Sequence, residues 1–168
     1  GVGSVAVKLL AGRGFDVIAS TGKTSEKAYL EGLGAKEIID RNELSEPGKP
    51  LDRERWAAAV DTIGGHTLAN VCAGTQYLGT VAACGLAGDM SFPATVAPFI
   101  LRGVTLVGID SGMCPAPLRK QAWEALAKEF PHDALETISR EITLDEVPDA
   151  SQDILAGKIR GRLIVKVS

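Results

Sequence analysis

The chain of 168 residues is short of several residue types, and each shortage removes a class of function. It has three cysteines, Cys72, Cys84 and Cys114, an odd number at wide spacing with no Cys-x-x-Cys pair. Neither a disulfide framework nor a zinc ribbon is readable in that spacing, and the thiols read as buried or half-buried groups of a reducing cytoplasm. Its two histidines, His66 in a glycine turn and His132 in a polar loop, have no metal-ligand company nearby, so no metal site is expected. A formal charge of −3 argues against non-specific nucleic-acid binding. The apolar runs are too short to span a membrane. There is no signal peptide in view, no starting Met, no solenoid repeat and no low-complexity stretch. What is left is ordinary globular composition, 45% hydrophobic and 23% charged, over a length that fits one domain or one domain and part of another.

The most informative stretch is the first. Gly1-Val2-Gly3-Ser4 opens an apolar helix over residues 2–11, with Val5, Ala6, Leu9 and Leu10 on one face, and the aliphatic run Val17-Ile18-Ala19 follows. Gly-x-Gly, helix, short buried strand is the back half of a dinucleotide-binding β-α-β unit. Glycine suits this turn because backbone N–H groups must approach a pyrophosphate and a Cβ would obstruct them; the helix adds unpaired N–H groups and the positive end of its dipole. A glycine-rich helix start with no ligand is the alternative. Such a unit has a strand before its glycine turn, and this chain begins on the glycines, so we expect a C-terminal portion of a longer protein, lacking the first strand.

The strand ends in Ser20-Thr21-Gly22-Lys23. A site for NAD places Asp or Glu about 20 residues after the glycines, on the ribose 2′-OH. Here hydroxyls, a glycine and a lysine occupy that region, and no carboxylate comes before Glu26. A 2′-phosphate is repelled by a carboxylate and favoured by this set, which predicts NADP(H) over NAD(H). Arg41, just past the next short strand (residues 37–40), is either a second cation for the same phosphate or a surface arginine paired with Asp40 or Glu43.

Further along, the pattern predicts a helix over 25–33, a polar loop over 42–55, a strand from Trp56 into the Gly64-Gly65 turn, a helix over 67–73, a strand over 79–85, a proline-bounded segment at 98–102 and a strand over 104–110. Strand and helix alternating in this way give an α/β fold, a doubly wound parallel sheet with ligands at the carboxyl ends of its strands. After Met113 the pattern changes. An amphipathic helix over 118–130 carries Leu118, Ala122, Trp123, Leu126 and Phe130 on one side; then come apolar–polar alternation from Ile138, a helix from Pro148 and a last strand over 161–167. This end is expected not to continue the β-α repeat and to belong to another domain.

Several pieces together resemble a known family: Gly1-Val2-Gly3-Ser4, Ser20-Thr21-Gly22-Lys23, Asp40-Arg41-Asn42-Glu43, Val81-Ala82-Ala83-Cys84-Gly85-Leu86-Ala87-Gly88, Pro98-Phe99-Ile100-Leu101-Arg102, Gly108-Ile109-Asp110-Ser111 and Ile159-Arg160-Gly161-Arg162. They are similar to the zinc-independent medium-chain dehydrogenases/reductases of the YhdH/AcuI branch, quinone oxidoreductases and acrylyl-CoA reductases, over essentially the whole chain. The resemblance implies a Rossmann-type NADP-binding domain at 1–112 and the C-terminal part of a GroES-like substrate domain at 113–168. It implies that Gly1, Val2, Gly3 and Ser4 line the pyrophosphate, that Thr21, Gly22, Lys23 and Arg41 hold the 2′-phosphate, and that Leu86, Ile100 and Ser111 approach the nicotinamide half. The family often has Ser-Gly-Arg where this chain has Thr21-Gly22-Lys23; lysine keeps the charge and loses the bidentate fork. The family often ends in Asn and this chain ends in Ser168, which bears on a terminal cofactor contact. A cytoplasmic homodimer paired through strand 104–109 is implied, with no nucleic-acid or membrane partner. The implied substrate is an unsaturated acyl-CoA or a quinone; a non-catalytic NADPH-binding sensor is the rival from another class. No catalytic residue is assigned: Tyr29 is read on a surface helix and Tyr77 in a turn.

Overall fold

The computed structural model describes residues 1–167, the side chain of Thr24 excepted; Ser168, where a terminal cofactor contact was in question, lies outside the described residues. The elements are α1 (Val2–Gly12), β1 (Val17–Thr21), α2 (Lys27–Gly32), β2 (Ala35–Asp40), α3 (Asn42–Ser45), β3 (Trp56–Asp61), α4 (Gly65–Ala73), β4 (Thr75–Ala83), α5 (Ala97–Arg102), β5 (Thr105–Gly108), α6 (Ala116–Glu129), α7 (His132–Ile138), β6 (Ser139–Thr143), α8 (Val147–Leu155) and β7 (Arg162–Lys166). Strands and helices alternate as far as β5, the Rossmann-type α/β pattern. β1 and β2 form one ladder, β3–β4–β5 a second and β6–β7 a third. The β3–β4, β4–β5 and β6–β7 pairings are parallel.

Two compact units result, one of residues 1–19, 28–37 and 122–168, the other of residues 20–27 and 38–121. In the first, the apolar residues of α1 and β1 supply Val7 and Val17 to the interior, and Leu33 is only 2% exposed. Gly34 then turns the chain at φ +108°, a conformation that disfavours a side chain, and a Cβ there would lie 2.5 Å from Ala11 Cβ. The alternation predicted from Ile138 is realised only in part: Ile138 closes α7 and is buried with Ile142, but Arg140 and Leu144, on the same two-residue repeat, are exposed. The expectation that this end drops the β-α repeat is corrected: β6, α8 and β7 form a parallel β-α-β unit of their own, because α8 supplies the crossover that a parallel pair requires.

In the second unit Val81, on β4, the middle strand of its sheet, is fully buried. Trp56 Nε1 donates to Val71 O at 2.9 Å and to Thr75 Oγ1 at 3.2 Å, fixing the start of β3 against the end of α4. Arg102 gathers three carbonyls, Ala73 O (2.8 Å), Thr75 O (3.2 Å) and Asp52 O (2.6 Å), and lies 3.4 Å from Glu54. β4 is irregular: Trp56 opposes Thr75 and Ala58 opposes Thr80, so Ala57 faces the whole Gln76–Gly79 segment. Leu78 takes φ +59° there.

Three other expectations change. The 42–55 loop contains the short α3, whose start is held by Asn42 N donating to Asp40 Oδ1 at 2.8 Å. The proline-bounded segment is α5: proline is tolerated in a first turn, where its missing N–H has no helical partner, and Gly103 closes the helix at φ +59°. His132 opens α7 instead of lying in a loop. The apolar side of α6 is present, yet no residue of that helix is buried and Trp123 is 64% exposed.

Replacing Gly34 by Ala should destabilise the protein by about 1–3 kcal/mol, through a strained φ and the collision with Ala11. Urea unfolding should show a lower midpoint with an unchanged slope. An unaltered midpoint would refute the account of this turn.

Candidate functional site

In the first unit Gly1 is half-buried, Val2 and Gly3 are exposed and Ser4 is buried in the first turn of α1. A Cβ on Gly3 would meet nothing within 4 Å, so that face of the turn is open. No side chain caps the helix and no acidic residue lies in its first turn. The positive helix end therefore lacks a negative side chain of its own. A Cβ on Gly1 would collide with the guanidinium of Arg162, the first residue of β7. Sequence reasoning quoted Arg162 without giving it a role, because no spacing rule links β7 to a turn at the other end of the chain.

In the second unit the structure brings together Thr21, Gly22, Lys23 and Arg41. Thr21 Oγ1 accepts Lys23 N at 3.1 Å, and Thr21 O accepts Arg41 N at 3.0 Å. The Arg41 guanidinium lies against Gly22, where a Cβ would stand 3.4 Å from its central carbon and its Nε. Of the two carboxylates considered as its partners, Glu43 lies 3.7 Å from Arg55, and Asp40 accepts Asn42 N. Among the described residues Arg41 makes no ion pair. A glycine flanked by Lys23 and Arg41, with a threonine hydroxyl alongside, is chemically a phosphate-binding set.

The strand ends of the second unit are organised by Asp61, which is 4% exposed. Its Oδ2 accepts Gly64 N at 2.9 Å and Ile63 N at 3.2 Å; its carbonyl accepts Cys84 N at 2.9 Å and Cys84 Sγ at 3.2 Å. Burial raises its pKa above the ordinary 3.8, against the two backbone bonds, which lower it. Beyond β4, Ala87 N bonds Thr62 O, and Gly88 and Asp89 N bond Ile63 O, so the segment bearing Leu86 is laced to the end of β3. Leu86 is 63% and Ile100 73% exposed, and Ser111 is exposed beyond the end of β5. Desolvation, then the Asp61 charge, pushes the Cys72 thiol up to about 11, and the same causes in the same order raise Cys84. Both thiols are held protonated at neutral pH.

Tyr29 lies on α2, none of whose residues is buried, as expected of a surface helix, and is itself half-buried; its hydroxyl is buried without a hydrogen-bond partner, and the Arg160 guanidinium stands 4.5 Å over its ring. Tyr77 lies in the irregular part of β4 and is 66% exposed. Among the described residues no group of three or more His, Cys, Asp or Glu could hold a metal ion, and no helix is long and apolar enough to cross a membrane.

The sequence model of the zinc-binding dehydrogenases matches residues 1–130. The chain belongs to that family. It is 48% identical over 169 residues to acrylyl-CoA reductase AcuI of Ruegeria pomeroyi, covering 100% of this chain and 51% of the relative. The YhdH oxidoreductase of Salmonella enterica, solved in complex with NADP, superposes with a TM-score of 0.97 at 44% identity, over 100% of this chain and 52% of that one. YhfP of Bacillus subtilis, solved with NAD bound, gives a TM-score of 0.93 at 47% identity, over 99% of this chain and 51% of that one. The chain thus spans about half the length of the relatives it matches.

Asp61 yields a pH prediction. Its folded-state pKa lies above its unfolded value, so the native state binds the extra proton between the two. The stability this group contributes falls as pH rises from the ordinary 3.8 through the folded pKa, and is constant above. Asp61→Asn removes the titration, so the wild-type-minus-variant difference in unfolding free energy should decline as pH rises from the ordinary 3.8 and then level off. A flat or rising difference would contradict the burial argument.

Proposed function

We propose that the polypeptide carrying this chain is an NADPH-dependent oxidoreductase that reduces the C=C bond of an α,β-unsaturated carbonyl, with acrylyl-CoA, giving propionyl-CoA, as its substrate. The observation that carries this reading is the pairing of Arg41 with Gly22 beside Lys23 and Thr21, in a strand end without a carboxylate. The acrylyl-CoA reductase name of the Ruegeria relative and the NADP in the Salmonella structure support it. The NAD in the Bacillus structure makes cofactor preference the point to test.

The residues present fit the cofactor. The Arg41 guanidinium lies against Gly22, and Gly3 presents an open backbone face at a helix start. Thr21, Gly22, Lys23 and Arg41 would hold the 2′-phosphate by charge and by hydrogen bonds. Gly1, Val2, Gly3 and Ser4 would receive the pyrophosphate on backbone N–H groups, with Arg162 as its counter-charge. Leu86, Ile100 and Ser111 would wall the nicotinamide end. When bound, NADPH supplies the hydride that adds to the alkene β-carbon. The chain's share of the work is to hold and orient the cofactor against the substrate. The α-carbon takes its proton from water or from a group outside this chain. Hydrogen bonds to the thioester oxygen suffice for polarisation, so the reading needs no zinc.

The division into a cofactor domain at 1–112 and part of a GroES-like substrate domain at 113–168 belongs to this proposal, as does a cytoplasmic setting. So does a homodimer through strand 104–109, supported by β5 pairing, among the described residues, only with β4.

Lys23→Ala combined with Arg41→Ala should weaken NADPH binding by about 2–5 kcal/mol, each charged contact contributing roughly 1.5–3, and leave NADH binding nearly unchanged. Equal losses for the two cofactors would sink the 2′-phosphate assignment. Turnover decides the reaction: NADPH consumption by the full polypeptide should be fast with acrylyl-CoA and slow with a simple quinone or with NADH. Quinone-only turnover would make the protein a quinone reductase, and binding without turnover would make it a sensor.

A further inference from the structure

The turn after β5 is built in an unusual way. Asp110 Oδ1 accepts both Gly112 N (2.9 Å) and Met113 N (3.0 Å). Arg119, one turn into α6, reaches back with Nη2 to donate to Ser111 O (2.6 Å) and Gly112 O (3.1 Å). Two side chains of opposite charge thereby engage four consecutive-segment backbone groups, one taking the N–H groups and the other the carbonyls. A Cβ on Gly112 would stand 3.3 Å from Asp110 Oδ1, so the turn is closed down on the carboxylate. The group left over is Ser111: neither its N–H nor its hydroxyl has a partner among the described residues, and the residue is exposed. It stands beyond the carboxyl end of β5, the side of a parallel sheet on which ligands sit.

We propose that Arg119 is a positioning residue for the nicotinamide end of the cofactor site: acting through the Ser111 and Gly112 carbonyls, it holds the 110–113 turn so that the Ser111 N–H and hydroxyl face the ligand. This inference rests on the NADP(H) reading above. Ser111 provides the donors that an amide oxygen of the ligand would accept, and Arg119 touches neither ligand nor substrate. The Ser111 carbonyl belongs to the peptide unit that leaves Ser111, and the Gly112 carbonyl to the next one, so the guanidinium fixes two successive units on the far side of that residue. Without the guanidinium, the carbonyl side of the turn keeps no side-chain donor, and the Asp110 bonds alone hold only its N–H side. The linker to α6 matters for the same reason: the clasp spans it, so the start of α6 and the end of β5 are set by one side chain.

The test separates the two halves of the cofactor. In the full polypeptide, Kd is measured by calorimetry for NADP+ and for 2′,5′-ADP, which lacks the nicotinamide end. Arg119→Met should raise the Kd of NADP+ by about tenfold, the loss expected when charge-assisted bonds cease to hold a donor in place, and that of 2′,5′-ADP by less than about twofold. Arg119→Lys, which keeps a cation able to reach one carbonyl, should recover at least half of that effect on a logarithmic scale. Met and Lys variants weakening both ligands alike, together with a lower Tm, would show a merely structural role and overturn the proposal; so would no change in either Kd. The redox reading fails separately: wild-type protein that binds NADP+ but turns over neither unsaturated thioester nor quinone removes the reaction, while the ratio of the two Kd values still decides the role of Arg119.

Discussion

The rest of the second unit depends on one buried carboxylate. Asp61 ends β3 where the backbone must turn into α4, and two successive N–H groups there would be unpaired without it. Charge-assisted bonds from an ionised side chain are the strongest available for this purpose, and they hold Gly64 and Gly65 at positive φ, where a side chain would be strained. Once that turn is fixed, the loop after β4 can lace onto it through Thr62 and Ile63, and Cys84 is drawn to the Asp61 carbonyl. The cost is desolvation of the carboxylate, visible in its raised pKa. Removing the acceptor would leave buried donors unpaired, which is worse than burying the charge with its partners.

The cation arrangement follows a different logic. Arg41 is carried by the end of β2 and Gly22 by the end of β1, so strand pairing alone brings them to the same edge. The guanidinium lies against Gly22. Glu43 is engaged by Arg55, which also stacks on Trp56 at 5.0 Å. A neighbouring pair thus takes up the competing carboxylate, and Arg41 stays available for an anion.

How much of this was legible in the sequence depends on range. The α1 helix, the β1 and β4 strands and the polar end at 20–23 were readable because aliphatic runs, glycines and hydroxyls are local signals. Arg41 was left between two roles, since sequence spacing places it beside Asp40 and Glu43 as naturally as beside Gly22. Asp61 is legible as a strand end, but not the bonds its carboxylate takes from Ile63 and Gly64 N; nor is the reach of Arg119 to the Ser111 and Gly112 carbonyls, or the place of Arg162 against Gly1, because contacts with backbone leave no mark in residue type. The short α3 and the polar α7 were missed because four to seven residues without an apolar stripe give no period to detect. The β6–α8–β7 unit reads in sequence as a break in the repeat because, among the described residues, its strands pair only with each other.

The irregular segment of β4 has a consequence for how this sheet tolerates change. A strand has a two-residue repeat, so an inserted or deleted residue ordinarily flips every side chain beyond it to the opposite face. Here the Gln76–Gly79 segment is already out of the ladder, facing Ala57 alone, and regular pairing restarts at Thr80. Extra length at that point would be taken up in the protrusion, and Val81 would still face inward while Cys84 and Leu86 kept their places. The protrusion therefore acts as slack in an otherwise phase-locked strand, and marks where a reporter peptide or a natural insertion can be accommodated without disturbing the opposite end of the sheet.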